Sequence, residues 1–119
     1  MENHNRLTLT GRLVNDPELK VTKNGTSVCR FSIANNIYIG QDHVNFFEVT
    51  YLGKLAEVAN SYLVKGSHIL IEGKLKQERW EKEGVKNSKV TINGEKIYFL
   101  YSKKSGAKAD SDFVDELAF

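Results

Sequence analysis

One cysteine, one proline and one tryptophan are all that 119 residues contain of those types, and the first scarcity already constrains the chemistry. A lone Cys29 cannot form an intrachain disulfide, so a packed core has to hold the fold, and a reducing, cytoplasmic setting is expected. The chain has no apolar stretch long enough to span a bilayer, and its polar start, MENHNRLT, is unlike a signal peptide. His4, His43 and His68 stand far apart without metal-ligand spacing, so no metal or other cofactor is expected. Tyr51-Leu52-Gly53-Lys54 lacks the spacing of a phosphate-binding loop, and no carboxylate sits in an apolar context that would raise its pKa. The sequence does not read as an enzyme.

What is present is charge, unevenly placed. The net charge of +2 divides into a body, residues 1–108, that carries every Lys and Arg and balances at +6, and an end with Asp110, Asp112, Asp115 and Glu116 and no base. A basic body suits a polyanionic partner, and an acidic end reads as an interaction tail. A solubilising surface with a frayed terminus would show the same charge.

Strict alternation defines the first strand: Leu7, Leu9 and Leu13 face one way, Thr8, Thr10 and Arg12 the other, with Gly11 marking a bulge or bend. Asn15-Asp16-Pro17 is turn chemistry, a short strand follows over 18–23, and Asn24-Gly25 signals a hairpin. In the strand 28–35, Cys29, Phe31 and Ile33 share the core side, opposite Arg30 and Ser32. Residues 36–45 read as a loop that carries Tyr38. In the strand 44–52, Phe47, Val49 and Tyr51 oppose Phe46, Glu48, Thr50 and Leu52. Leu55, Val58, Ala59, Tyr62 and Leu63 form a helical stripe that Lys65 and Gly66 are expected to close. A long strand over 67–80 puts Ile69, Ile71, Gly73 and Leu75 on one face and Lys74, Lys76, Glu78 and Trp80 on the other. Residues 81–84 form a charged tip, and 89–101 supply the last strand, interrupted at Asn93-Gly94. Strands, one helix, then two strands predict an all-β fold with one helix: a five-stranded Greek-key OB-fold barrel over 1–101, with a disordered C-terminal tail over 102–119.

Trp80 lies beside Arg79 and shares a strand face with Lys74 and Lys76. Aromatic faces on which bases stack, set in a cationic groove, are what a single-stranded nucleic acid needs. A lone tryptophan is as often a barrel-end core residue. Its charged face-mates favour a platform, as Glu48 and Thr50 do for Phe46.

Residues spread along the chain resemble the bacterial-type single-stranded DNA-binding protein family. They are Asn5-Arg6-Leu7, Asp16-Pro17-Glu18, Leu52-Gly53-Lys54-Leu55-Ala56-Glu57-Val58-Ala59, Lys65-Gly66-Ser67, Ile71-Glu72-Gly73, Arg79-Trp80 and Phe99-Leu100. The resemblance implies a non-catalytic, cytoplasmic and nucleoid-associated homotetramer. Such a protein wraps single-stranded DNA with little sequence preference and recruits replication, recombination and repair enzymes. It makes Trp80 a stacking residue and places Phe46 where another often stands, with Lys54, Lys65 and Arg79 near the DNA path. The end, Asp112, Asp115, Glu116, Leu117, Ala118 and Phe119, matches a partner-binding tip. Three departures accompany the match. Leu52 replaces a frequent phenylalanine, the loop from Tyr38 to Phe46 is short, and a short linker leads to a tip with Ala118 in place of proline.

Overall fold

The computed structural model describes residues 2–101; the linker and tip expected over 102–119 lie outside them. Among the described residues the elements are β1 Leu7–Leu13, β2 Glu18–Val21, β3 Ser27–Tyr38, β4 Asp42–Leu52, α1 Lys54–Tyr62, β5 His68–Lys82 and β6 Val85–Tyr101. Five strands close in the order β1-β5-β6-β4-β3, and β3 returns to β1 through Arg12↔Ala34 and Leu13↔Ile33. β2 hangs outside, paired only with β3. Neighbours run antiparallel except β4 and β6, which are parallel at Val49↔Ile92 and Thr50↔Asn93. This is the expected OB-fold barrel.

Two glycine positions make closure possible. β1 must leave β5 and meet β3 within its last few residues, and a Cβ on Gly11 would come within 3.0 Å of both Ala34 O and Ile33 Cδ1. On β6 a register shift opposite Glu72 and Gly73 leaves Glu95 as an extra residue, so the interruption expected at Asn93-Gly94 takes the form of a bulge. A Cβ on Gly94 would collide with the Tyr51 ring. That ring is fully buried, and its hydroxyl donates to Lys96 O at 2.8 Å, so it has no room to retreat.

The interior is the set of inward residues that alternation selects: Leu13, Cys29, Phe31, Ile33, Val49, Tyr51, Ile69, Ile71, Ile92, Ile97 and Phe99. Full burial of a Phe side chain contributes about 1.5–3 kcal/mol, and Phe31 also stacks with Tyr51 at 6.0 Å between ring centroids. Burial drives the Tyr51 phenol upward in pKa, with a smaller contribution from Cys29. It also pushes the Cys29 thiol up to about 11. Cys29 is a core residue, held in its unreactive thiol form.

α1 plugs one end with Ala56 and Ala59 buried and Leu55 and Val58 packed against the core. Its end differs from expectation. The helix stops at Tyr62, Leu63 is extended, and no basic residue lies in the last turn. The following segment is sewn to β1 instead of continuing the helical ladder. Lys65 N donates to Asp16 Oδ1 at 2.8 Å, Gly66 N to Leu13 O at 2.9 Å, and Val64 N to Ser67 Oγ at 3.1 Å. Gly66, with φ of 94°, serves that turn.

The hairpins are longer than alternation alone indicates. β3 and β4 pair out to Tyr38↔Asp42, so Tyr38 ends a strand and is not a loop residue. β5 and β6 pair out to Lys82↔Val85, leaving only Glu83 and Gly84, both at positive φ, as the tip. This ribbon projects beyond the barrel. Leu75, expected on the core face, is therefore half exposed. Its backbone is held at both N and O by the Asn5 side chain, at 3.0 and 2.8 Å.

Candidate nucleic-acid interface

A pleated strand shows successive side chains to opposite faces, so the inward residues of β3, β4, β5 and β6 automatically define an outer set. On β4 the outer set is Phe46, Glu48, Thr50 and Leu52. Across the ladder on β3 stand Ala34, Ser32, Arg30 and Val28. On the other side, β6 carries Asn87, Lys89, the buried Thr91, and Asn93, which pair with Trp80, Glu78, Lys76 and Lys74 of β5. The candidate residues of two distant segments thus lie on one continuous outer surface.

The aromatic positions are exposed: Tyr38 at 74%, Phe46 at 67% and Trp80 at 46%, with Leu52 at 50%. None is core. Burying that much aromatic surface is favourable, so a fold that leaves these rings wet keeps them available for a flat apolar partner. Phe46 sits midway along β4, Tyr38 at the end of the β3–β4 hairpin, and Trp80 near the tip of the β5–β6 ribbon. Leu52 closes the β4 row, opposite Val28, where it offers apolar surface but no ring.

The basic residues divide into groups. Lys76 is exposed on the Trp80 face and has no ion pair among the described residues. Lys74, on the same face, meets Glu95 at 3.6 Å. Arg79 belongs to the opposite face of the ribbon, where its Nη2 donates to Gln77 Oε1 at 2.8 Å. Arg79 and Trp80 nonetheless line one open groove with Gln77, Glu81, Lys86, Asn87 and Ser88. Lys54 is exposed at the start of α1, just past the end of the β4 row. Lys65 does not join the sheet; it is exposed in the α1–β5 turn, behind Asp16. The tip residues Asp112 to Phe119 lie outside the described residues.

Sequence reading passed over two cations on this surface. Arg30 and Lys89 line an open depression with Asn15, Glu18, Ser32 and Glu48. Alternation around Phe31 already set Arg30 outward; what it could not supply was the neighbouring strand. Lys89 reaches both carboxylate oxygens of Glu48, at 3.1 and 3.3 Å, and approaches Glu78 at 4.0 Å. No group of three or more His, Cys, Asp or Glu side chains placed to hold a metal occurs among the described residues. No described helix is long and apolar enough to cross a membrane.

Comparison with known proteins bears on this surface. The model of the single-strand binding protein family matches residues 4–100. Single-stranded DNA-binding proteins of Treponema pallidum and Helicobacter hepaticus are 42% and 38% identical over 94% and 87% of the chain. The chain spans 66% and 65% of those two proteins' lengths. The Aquifex aeolicus single-stranded DNA-binding protein is 37% identical, with 95% of this chain and 80% of that protein covered. Among solved structures, a Plasmodium falciparum SSB in complex with ssDNA superposes with a TM-score of 0.79 at 20% identity. The match covers 84% of this chain and 97% of that one, and it shows the shared fold.

Proposed function

The chain belongs to the single-strand binding protein family, and on that premise we propose that it binds and protects single-stranded DNA without marked sequence preference. The observation that carries this reading is the exposure of Trp80 and Phe46 on one continuous outer sheet surface, which also carries Lys76 and Arg30. Bases stack on the rings, each stack contributing about 1–3 kcal/mol whatever the base, while the cations follow the phosphates. Tyr38 extends the platform at the hairpin end, and Leu52 gives apolar contact. Lys54, Lys65, Lys74 and Arg79 supply positive charge at its margins. The protein carries out no bond-making chemistry in this role.

The same reading makes the protein a cytoplasmic homotetramer serving replication, recombination and repair, with the acidic tip through Phe119 recruiting enzymes of those processes. Family membership and the charge division between body and end support it.

Titration of intrinsic fluorescence tests the central step, because Trp80 is the only tryptophan. Poly-dT should quench it, with an affinity that falls as salt rises and counterion release loses its driving force. Unchanged emission at saturation would remove Trp80 from the interface. Deletion of residues 112–119 should leave DNA affinity intact and abolish enzyme capture, and sedimentation should report four copies.

A further inference from the structure

The two exposed rings are linked by charge. Phe46 is followed on its own face by Glu48, and Trp80 is preceded on its own face by Glu78. Lys89, on the strand between them, joins the two carboxylates: its Nζ lies 3.1 and 3.3 Å from Glu48 Oε2 and Oε1, and 4.0 Å from Glu78 Oε2. All three side chains are more than half shielded from solvent. One cation against two carboxylates leaves the cluster with a net charge of −1, at the middle of a surface whose margins are basic.

We infer that the Glu48–Lys89–Glu78 cluster excludes phosphate from the centre of the face, so that the strand lies there with its bases inward and its backbone along the margins. This rests on the proposed binding of single-stranded DNA and adds how the strand is oriented. A lone lysine between two stacking rings would draw a phosphate onto the sheet and lift the neighbouring bases off Phe46 and Trp80. With Glu48 gripping it through both oxygens, Lys89 is occupied, and an approaching phosphate meets uncompensated negative charge. The phosphates are left to Lys76 and Arg30, and the rings to the bases. The cluster is a positioning element, and partly exposed ion pairs of this kind contribute little to stability. Neutralising them therefore leaves the barrel folded.

The test is the salt dependence of oligo-dT binding by the full chain, compared among wild type, E48Q/E78Q, Lys89→Met and the triple variant. Release of Lys89 in E48Q/E78Q should add one phosphate contact, steepening the slope of log K against log salt by about 0.7 for a single strand. Relative to wild type, that is about a fivefold gain at 0.1 M over 1 M salt. Lys89→Met should keep the wild-type slope, and adding it to E48Q/E78Q should restore that slope. A double variant with wild-type slope would overturn the inference, as would Lys89→Met losing one contact by itself. Should the double variant fail to fold, E48Q alone, which removes the closer partner, is read the same way. Failure of the wild-type protein to bind oligo-dT at low salt would instead sink the proposed function.

Discussion

β5 is one strand in two environments. From His68 to Gly73 its residues alternate with Ile69 and Ile71 sealed inside the barrel; from Lys74 to Lys82 nothing is buried. Both halves pair with β6, but only the first is also laddered to β1, from Arg12↔His68 to Leu7↔Gly73. The core goes with that second neighbour: up to Gly73 the strand has β1 beside it and a packed interior beneath it, and beyond Gly73 it has neither. The difference teaches where stability ends and binding surface begins. In the barrel half a side chain is chosen by the space it fills. In the ribbon half it is free of packing, and Lys76, Arg79 and Trp80 can be selected for what they touch.

The largest expected effect strikes the barrel half. Gly94→Ala puts a Cβ into the buried Tyr51 ring, an overpacking cost of about 3 kcal/mol by analogy with the upper range for well-packed cores. Urea denaturation should show it as a lowered midpoint. A midpoint unchanged from wild type would mean that the Tyr51 cage is soft and the two halves less distinct than described.

Next comes alkaline pH, again through the interior. The Cys29 thiol starts from an ordinary 9.0 and stands near 11 in the fold. Between those values the unfolded chain loses its proton and the folded chain keeps it, so stability is full below pH 9 and falls as pH rises toward 11. The slope reaches about 1.4 kcal/mol per pH unit. Cys29→Ala should remove this fall, leaving the one that Tyr51 causes above pH 10. Chemical unfolding at pH 8, 9, 10 and 11 measures it, and a flat profile would contradict the dry interior.

In the ribbon half the currency changes from stability to affinity. Trp80→Ala should weaken oligonucleotide binding by about 1–3 kcal/mol, while the urea midpoint stays within the roughly 0.5 kcal/mol typical of surface substitutions. A drop in both together would show that Trp80 braces the fold. The smallest effect belongs to Leu52→Phe, which adds a ring at a half-exposed position on the outer face. It should tighten binding by about 1 kcal/mol, the low end for one stack; unaltered affinity would place that end of the β4 row off the DNA path.

Much of the candidate site could be read from the chain because period-two alternation is local. Phe46 with Glu48, and Trp80 with Lys76, declared their common outer faces from strand spacing, and the structure leaves them there. The composition of Asn36 to Asn45 reads as a loop that carries Tyr38, and hairpin pairing overrides that composition. Leu75 carried the right period and the wrong environment: it kept its face, but the strand had already left the barrel. Lys65 has the sequence position of a helix-closing base, and the hydrogen bonds to Asp16 and Leu13 draw its segment elsewhere.

Alternation, helical spacing and turn chemistry by themselves determined the elements, the inward face of each strand and the barrel class, since each depends on residues a few positions apart. Tertiary structure alone decided how far the ribbon projects, which rings stay wet, and that Lys89 is held by Glu48, 41 positions away. Those outcomes depend on which strands become neighbours, and neighbours are set by closing the barrel, a condition no local pattern records.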